Sequence, residues 1–403
     1  MIPYEEAIQI VLQNVKPIGE EQVDLFSAGD RILREDIISD IDNPPFDNSA
    51  MDGYAVKAAD TVNANITQHV ILKVKGITAA GGTIEGIEIH YGEAIGITTG
   101  APVPYGADAV LIIENTEKVS DTEIKVLKPV TIGENIRFKG EDLKKGELIL
   151  SSGTKITPSI IALLATVGRK TMRVSKKPEV GIVATGNELV EPEYIPPAGK
   201  IRNCNAYFLY SQIIKEGGVP TYYGIAGDLH GEIEGKISEA LSNSDIVITT
   251  GGVSVGEFDY VKESFSKLGI DIKFLKVAIK PGKPTVFGVK GDTCIFGLPG
   301  NPVSTLVTFN RFVSPCIAKM MGNVKPDKKV IPCILNEDLT IKSDRKQFVR
   351  IHIEQKGDTI MARSTGHQGS GRLKSIFDAD GIMTASPGEY TITKGTKVIV
   401  ELL

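Results

Sequence analysis

The sequence predicts a multidomain α/β plus β protein, and three observations support this fold class. The chain has 403 residues, enough for two to four domains at roughly 150 residues per domain. Residues 178–321 alternate between strand-like and helix-like apolar patterns, as expected for a largely parallel sheet covered by helices on both faces. The flanking segments 54–150 and 326–403 contain short alternating apolar runs between Gly, Pro and Asp turns, which predict β-rich domains.

Helices are predicted before and after the first β-rich segment. The spacing of apolar side chains over residues 4–15 predicts an amphipathic helix. A second helix is predicted after Thr157, which suits the N-cap, with Pro158 at the first helical position and Gly168 at the end. The central segment predicts strand 179–185, helix 205–216, strand 220–226, helix 230–241, strand 245–250, helix 259–267, a β pair near 272–296 and helix 302–320, and the runs VIPCIL, QFVRIHIEQ, DTIMARS and TKVIVELL predict strands after Pro326.

Composition and patterning exclude several classes of protein. The net charge of −5 gives no basic field for nucleic acid. The longest apolar runs, such as residues 160–167, are far shorter than the roughly 20 residues of a membrane span. The N-terminus has no secretory-signal pattern, which predicts a cytoplasmic location. The four Cys and five His show no spacing typical of a zinc site or a disulfide framework.

The loops after four predicted strands combine glycine with hydroxyl, amide or carboxylate side chains. Ligands of an open parallel sheet bind beyond the carboxyl ends of its strands, and glycine lets backbone N–H groups approach an anion. The loops therefore predict a site for a phosphate-bearing ligand, although tight βα turns also favour Gly and Asn. Walker and dinucleotide-binding glycine patterns are absent, which disfavours an ordinary NTPase or dehydrogenase. The loop residues are Thr185, Gly186, Asn187 and Glu188; Gly227 and Asp228; Thr250, Gly251, Gly252 and Ser254; and Leu298, Pro299, Gly300, Asn301 and Pro302.

The segment KVAIKPGKP places Lys276, Lys280 and Lys283 in a loop that its prolines stiffen. Lysine is a compact charge suited to phosphate or oxyanion contact, whereas the alternative is a solvated basic turn. Nearby carboxylates would also allow a Mg²⁺ ion to bridge phosphate oxygens. These carboxylates are Glu188, Asp228 and Asp259.

Two further loops contain unusual polar sequence. The segment 43–55, NPPFDNSAMDGYA, is too irregular for a helix and too polar for a core strand, and such loops often carry function. An Asx-turn linker between domains is the alternative interpretation. The segment GENIRFKGEDLKKGE supplies Arg137, Glu141 and Asp142, and by itself it predicts a hairpin with a solvated rim.

Nine segments resemble, in the same order, the MoeA family of molybdenum cofactor biosynthesis, to which the E domain of gephyrin also belongs. The resemblance covers almost the whole chain. Each segment alone is weak, but the ordered set is very specific. The segments are PPFDNSAMDGYA, TTGAPVPYGADAV, GENIRFKGED, ATGNELVEP, GDLHGEI, TTGGVSVGEFDYVKE, VAIKPGKP, FGLPGNPVS and GHQGSGRL.

The resemblance implies a homodimer of elongated subunits. Each would contain a three-layer α/β molybdopterin-binding domain, a β-rich insertion and a C-terminal β-barrel. The active cleft would lie between the α/β domain of one subunit and the insertion of its partner, with Asp52, Thr99 and Asp142 coming from the insertion side. The implied domains are 1–45 together with 145–176, 46–144, 177–325 and 326–403.

The resemblance also implies a reaction, the insertion of molybdate or tungstate into adenylylated molybdopterin with Mg²⁺-dependent pyrophosphate cleavage and release of AMP. Arg350 and Ser370 would form a pocket for the tetrahedral oxyanion. The family commonly has Asp where this chain has Asn187, which places Asn187, but not Glu188, in doubt as a metal ligand. The implied catalytic residues are Asp52, Thr99, Asp142, Glu188, Asp228 and Asp259, of which the last three would bind the metal, and the implied substrate-binding residues are Thr185, Gly186, Thr250, Gly251, Gly252, Ser254, Lys276, Lys280, Lys283, Pro299, Gly300, Asn301, Ser304, Arg350 and Ser370.

Two other functions compete with this interpretation. A gephyrin-like dimeric scaffold is disfavoured because the chain shows no added linker or partner domain and retains the cleft carboxylates and lysines. A nucleotide-cleaving enzyme that shares the α/β domain would lack the SAMDGYA segment. The resemblance names the molybdopterin adenylyltransferase and acceptor enzymes as candidate partners, and the sequence leaves the choice between molybdate and tungstate open.

Overall fold

A computed structural model describes residues 1–65, 67–252, 260–323 and 329–403. The chain divides into two compact units. The four domains predicted from the sequence are a finer division than these two units and stay a prediction. Unit 1 comprises Met1–Glu35, Ser152–Ile161 and Thr171–Leu403, and unit 2 comprises Asp36–Ser151 and Ala162–Lys170.

The described residues form eight α-helices, and helices are found in every span that the sequence predicted to be helical, although the predicted helix 302–320 is divided by a π-helical turn and residue 259 of the predicted helix 259–267 lies outside the described residues. Ile160 N–H donates to Thr157 Oγ1 at 3.4 Å, and Gly168 adopts a φ of 70°, which confirms both predicted ends of the second helix. None of the helices in the described ranges is long and apolar enough to cross a membrane. The helices are α1 Tyr4–Asn14, α2 Pro158–Thr166, α3 Asn205–Lys215, α4 His230–Asn243, α5 Tyr260–Lys267, α6 Pro302–Thr308, α7 Ser314–Met320 and α8 Lys374–Phe377, with a π-helical turn Phe309–Val313 that joins α6 to α7.

The strands are numbered in chain order across both units. They are β1 Glu20–Asp24, β2 Ile37–Ile38, β3 Asn48–Ser49, β4 Gly53–Val56, β5 Val70–Thr78, β6 Glu93–Ile97, β7 Ala109–Ile112, β8 Thr116–Ser120, β9 Glu123–Val126, β10 Ile136–Arg137, β11 Leu148–Leu150, β12 Thr171–Ser175, β13 Glu179–Thr185, β14 Leu189–Val190, β15 Ile201–Arg202, β16 Val219–Ala226, β17 Ile246–Thr250, β18 Asp271–Phe274, β19 Ile279–Lys280, β20 Val286–Lys290, β21 Thr293–Leu298, β22 Val330–Leu335, β23 Leu339–Ser343, β24 Lys346–Lys356, β25 Thr359–Ser364, β26 Gly381–Ala385, β27 Gly388–Ile392 and β28 Lys397–Leu402.

The α/β part of unit 1 is a six-stranded sheet in the order β16-β13-β17-β21-β20-β18. The first four strands are parallel, and β20 and β18 continue the sheet in antiparallel pairing. Helices α3, α6 and α7 contribute to the core on one face, through side chains such as Leu209 and Val307. Helices α4 and α5 cover the other face, through Ile237 and Phe265. Helices on both faces explain why β17 is buried at every position without alternation, and this arrangement confirms the predicted layered α/β fold.

The C-terminal part of unit 1 contains a closed five-stranded barrel, which confirms the β-barrel that the resemblance implied. The strands follow the cycle β24-β25-β22-β28-β26 and return to β24. Inward-facing Leu335, Val349, Ile351 and Val400 share its core. The short strand β19, from the predicted lysine loop, pairs in parallel with the start of β24.

Unit 2 is built on a second six-stranded sheet, in the order β7-β4-β6-β5-β9-β8. Two buried clusters line it, one around Leu72 and Leu111 and the other around Ile89 and Ile97. The short pair β3 and β10 brings the segment 43–55 against the segment that follows Gly133. The sequence therefore correctly predicted a β-rich insertion.

Candidate functional site

The loops after β13 and β16 are joined at the carboxyl edge of the sheet. The parallel register pairs Thr185 with Ala226, so both strands end together. Beyond this point Asn187 N–H donates to Asp228 Oδ2 at 3.0 Å, and Asp228 N–H donates to Asn187 Oδ1 at 3.0 Å. The residue that departs from the family pattern therefore holds Asp228 in place.

Glu188 folds back over the loop that carries it. Gly186 has a φ of 141°, and a Cβ at this position would lie 2.3 Å from a carboxylate oxygen of Glu188. Any side chain at position 186 would displace the carboxylate. The glycine thus permits the loop conformation and the position of Glu188 together.

The loop after β17 passes close to the loop after β13. Gly251 has a φ of 99°, and a Cβ there would lie 2.3 Å from the carbonyl oxygen of Thr185. Gly251 N–H donates to Leu298 O at 3.1 Å, which ties the loop to the end of β21. Thr185 itself is almost fully buried and its hydroxyl donates to Thr250 O at 3.4 Å, so this side chain is engaged within the protein.

Asn205 is a structural residue of this edge that the sequence reasoning did not identify. Its Nδ2 donates to Thr250 Oγ1 at 3.0 Å and to Gly300 O at 2.7 Å. The side chain is 8% exposed and lies in the first turn of α3. Asn205 therefore connects two of the Gly-rich loops, and no local pattern marks it because both partners are distant in sequence.

The lysine loop is held by strand pairing as well as by its prolines. Ile279 and Lys280 form β19 beside β24, and Val277 forms a parallel bridge with Ile2. Arg345 Nη1 donates to Ile279 O at 3.1 Å. Lys280 Nζ donates to the carbonyl of Lys342 at 3.2 Å. Only the prolines were visible in the sequence, whereas residues 342–347 supply most of these contacts.

The three lysines differ in their exposure. Lys283 is exposed, and Lys276 and Lys280 are half-buried. Lys276 O accepts from Ile2 N at 3.1 Å, so the backbone of this residue belongs to the bridge with the N-terminal segment. Lys283 is thus the lysine of this loop with the freest head group.

The start of α6 contacts the GHQGSG segment. Val303 N–H donates to Ser370 O at 3.3 Å, and Thr305 Oγ1 donates to Pro299 O at 2.6 Å. Asn301 precedes the helix, and Ser304 is 4% exposed. The predicted loop after β21 and the predicted Ser370 are therefore neighbours.

Arg350, on β24, is a fully buried cation. Its Nη2 donates to Gly369 O at 3.3 Å, and within the described residues Nε and Nη1 have no hydrogen-bond partner. Burial lowers the pKa of the Arg350 guanidinium to about 10. An unpaired buried charge is unfavourable, so a guanidinium left in this state beside Gly369 and Ser370 is suited to an incoming anion.

The predicted residues of unit 2 form two separate contacts. Asp52 Oδ1 accepts from Thr99 N–H at 2.6 Å and from Thr99 Oγ1 at 2.9 Å. These donors, first the backbone N–H and then the hydroxyl, lower the pKa of Asp52. Asp142 Oδ2 accepts from Asn43 Nδ2 at 2.8 Å. Asp52 and Thr99 therefore act as a pair, and Asp142 is held by the prolyl loop.

Two predicted site residues, Ser254 and Asp259, lie outside the described residues. In the part of the chain that the structure describes, no three His, Cys, Asp or Glu side chains are grouped closely enough to hold a metal ion. Glu188 and Asp228, on adjacent loops, are the two predicted metal ligands with described positions.

Sequence-family models match three consecutive parts of the chain. Residues 2–168 match "MoeA N-terminal region (domain I and II)", residues 181–319 match "Probable molybdopterin binding domain" and residues 332–403 match "MoeA C-terminal region (domain IV)". Together the matches cover the unit 2 sheet, the six-stranded α/β sheet and the barrel.

Named relatives and a solved structure agree with these matches. A molybdopterin molybdenumtransferase of Bacillus subtilis is 36% identical over 405 aligned residues, which cover 100% of this chain and 94% of the relative. The protein of the same name from Haemophilus influenzae is also 36% identical, and the alignment covers 100% of this chain and 98% of that relative. The molybdopterin biosynthesis MoeA protein of Pyrococcus horikoshii OT3 is 34% identical, with a TM-score of 0.85 over 100% of both chains.

Proposed function

This chain belongs to the MoeA family, and we propose that it is a molybdopterin molybdenumtransferase that inserts molybdate or tungstate into adenylylated molybdopterin. The pyrophosphate bond of the substrate is cleaved and AMP is released. The full-length similarity supports the reaction class, and the residues described above support the roles that follow.

One observation carries this proposal: the guanidinium of Arg350 is buried, and its Nε and Nη1 have no hydrogen-bond partner among the described residues. A tetrahedral oxyanion bound at Nε and Nη1 would satisfy both donors and offset the cost of the buried charge. Ser370, on the segment that also contacts Arg350, would complete the pocket with its hydroxyl. Molybdate and tungstate share charge and shape, and the pocket accordingly accepts either.

The Gly-rich strand ends are the proposed site for adenylylated molybdopterin. Gly251 and Gly252 have positive φ values and no side chains, so the backbone can approach a phosphate closely. Lys280 and Lys283 would supply counter-charges for the pyrophosphate, and Lys280 would exchange its bond to Lys342 O for one to substrate.

The residues present fit a Mg²⁺ ion that is shared with the substrate. Mg²⁺ is commonly held by one or two carboxylates together with substrate phosphates, and the described loops provide two, Glu188 and Asp228. When bound, the ion would neutralise charge on the pyrophosphate. Asn187 would orient Asp228, because its amide oxygen accepts a hydrogen bond from the Asp228 backbone N–H.

Incubation of the protein with adenylylated molybdopterin, Mg²⁺ and molybdate tests the proposal, with AMP release followed by chromatography. We expect molybdate-dependent AMP release, loss of that release in Arg350→Met, and retention in a variant of an exposed barrel residue such as Gln355→Met. Absence of AMP release with molybdate and with tungstate would reject the enzyme function and favour the scaffold alternative.

We further propose a homodimer in which Asp52, Thr99 and Asp142 of one subunit act with the α/β site of its partner. This proposal rests on the family resemblance. Mixing inactive Asp52→Ala with inactive Asp228→Ala subunits should restore part of the activity through hybrid dimers. If labelled subunits exchange and activity stays at background, the shared cleft is wrong.

A further inference from the structure

The backbone of Arg350 lies at a gap in the barrel ladder. On one side Arg350 pairs with Ile382 of β26. On the other side, the last paired residues of β24 and β25 are Ile351 and Ser364, so the regular pairing stops one residue short of Arg350. Thr365 N–H still donates to Arg350 O at 3.1 Å, but the Arg350 N–H needs an acceptor from elsewhere.

The side chain of Gln368 fills this gap. Arg350 N–H donates to Gln368 Oε1 at 2.9 Å, and Gln368 Nε2 donates to Arg350 O at 3.2 Å. The amide thus presents one acceptor and one donor to a single residue, as a neighbouring strand would. Gln368 Nε2 also lies 3.3 Å from Thr365 Oγ1 and 3.3 Å from Gly366 O, which fixes the turn around it.

Gln368 is followed directly by Gly369, which contacts the guanidinium of Arg350, and by Ser370, whose hydroxyl is assigned to the proposed oxyanion. Gly369 O accepts from Arg350 Nη2, and Ser370 O accepts from the start of α6. The segment is therefore attached to the Arg350 backbone by Gln368, to the guanidinium by Gly369 and to α6 by Ser370. These attachments set the distance between the guanidinium and the Ser370 hydroxyl.

We propose that Gln368 is the positioning residue of the oxyanion site, because it holds Arg350 and the Ser370 segment in one fixed arrangement. This inference rests on the proposed function, since it assigns the oxyanion to Arg350. Gln368 does not itself contact the anion. Its loss should weaken oxyanion binding specifically, because the guanidinium and the Ser370 hydroxyl would no longer converge on one point.

The test compares Gln368→Met with Gln355→Met in the full-length protein. Methionine has a side chain of similar length to glutamine, but it cannot replace the two hydrogen bonds that the amide makes with the Arg350 backbone. Gln355 is a matched control because it lies on the same strand and also donates from its side chain to a backbone oxygen, that of Gly357 at 3.3 Å. Sodium molybdate is titrated by calorimetry, and AMP release is measured over a range of molybdate concentrations.

We expect Gln368→Met to raise the Kd and the KM for molybdate about tenfold, the scale of one or two lost hydrogen bonds. The kcat at saturating molybdate and the KM for adenylylated molybdopterin should stay within twofold of wild type. Gln355→Met should change none of these values. The calorimetric stoichiometry for adenylylated molybdopterin reports the fraction of folded sites, so partial unfolding can be separated from weaker molybdate binding.

Three outcomes would contradict the inference or its premise. If Arg350→Met weakens molybdate binding and Gln368→Met does not, the positioning role is wrong and the proposed function stands. If Gln368→Met lowers kcat and thermal stability while the KM for molybdate stays constant, its role is structural only. If Arg350→Met itself leaves molybdate affinity unchanged, the oxyanion site is wrong.

Discussion

Replacement of Arg350 by Met should make the protein more stable while removing oxyanion binding. Burial lowers the pKa of Arg350 to about 10. At about 1.36 kcal/mol per pKa unit, burial of the charged guanidinium lowers the free energy of unfolding by roughly 3 kcal/mol. Because the folded state binds this proton less tightly than the unfolded state does, the cost is fully present at neutral pH. It disappears only as the pH rises above about 10.

The expected gain is smaller than this cost. Met retains most of the apolar contact of the arginine stem, but the bond from Nη2 to Gly369 O is lost, at about 1 kcal/mol. The net expectation for Arg350→Met is an increase of about 1 to 2 kcal/mol in the free energy of unfolding. The chain has no Trp, so urea unfolding is followed by circular dichroism.

Arg311 provides the matched control. It is 4% exposed, but its Nη1 donates to Glu401 Oε2 at 2.6 Å and its guanidinium lies 4.7 Å from the centre of the Phe348 ring. Arg311→Met removes the ion pair with Glu401 and the contact with the Phe348 ring, so it should lower the free energy of unfolding by about 2 kcal/mol or more. If Arg350→Met is destabilised as much as Arg311→Met, the charge of Arg350 is compensated within the protein and the reasoning fails.

Three further predictions concern other parts of the site. Thr99→Val removes one of the donors that lower the pKa of Asp52, so the acidic limb of the pH profile of AMP release should move to higher pH; an unchanged profile would exclude the ionisation of Asp52 from turnover. Asn205→Ala should cost about 1 to 3 kcal/mol in urea unfolding and raise the KM for adenylylated molybdopterin, because two loops lose their shared donor. Lys283→Gln should change the free energy of unfolding by less than about 0.5 kcal/mol and should weaken the binding of adenylylated molybdopterin, measured by calorimetry, by about 1.5 to 3 kcal/mol. Unchanged affinity would indicate that Lys283 is a solvated residue without a substrate contact.

The order of helices and strands was predictable because it depends on local patterns. The apolar periodicity and the capping residues of α2, for example Thr157, act over a few residues and are visible in the sequence. The Gly-rich strand ends were predictable for a related reason, since parallel strands in one sheet end at the same edge. The family resemblance came from ordered segments, and the sequence models and full-length relatives confirmed it.

The arrangement around Arg350 was decided by tertiary structure. In the run QFVRIHIEQ the arginine is one residue of a strand, and nothing local shows that its guanidinium is buried with Nε and Nη1 lacking a hydrogen-bond partner among the described residues. Likewise, Gln368 and Asn205 are ordinary polar residues until pairing across the fold brings Arg350, Thr250 and Gly300 to them. The sequence determines the elements and the chemical groups by short-range interactions, whereas the contacts among those groups depend on sheet register and barrel closure, which join residues far apart in the chain.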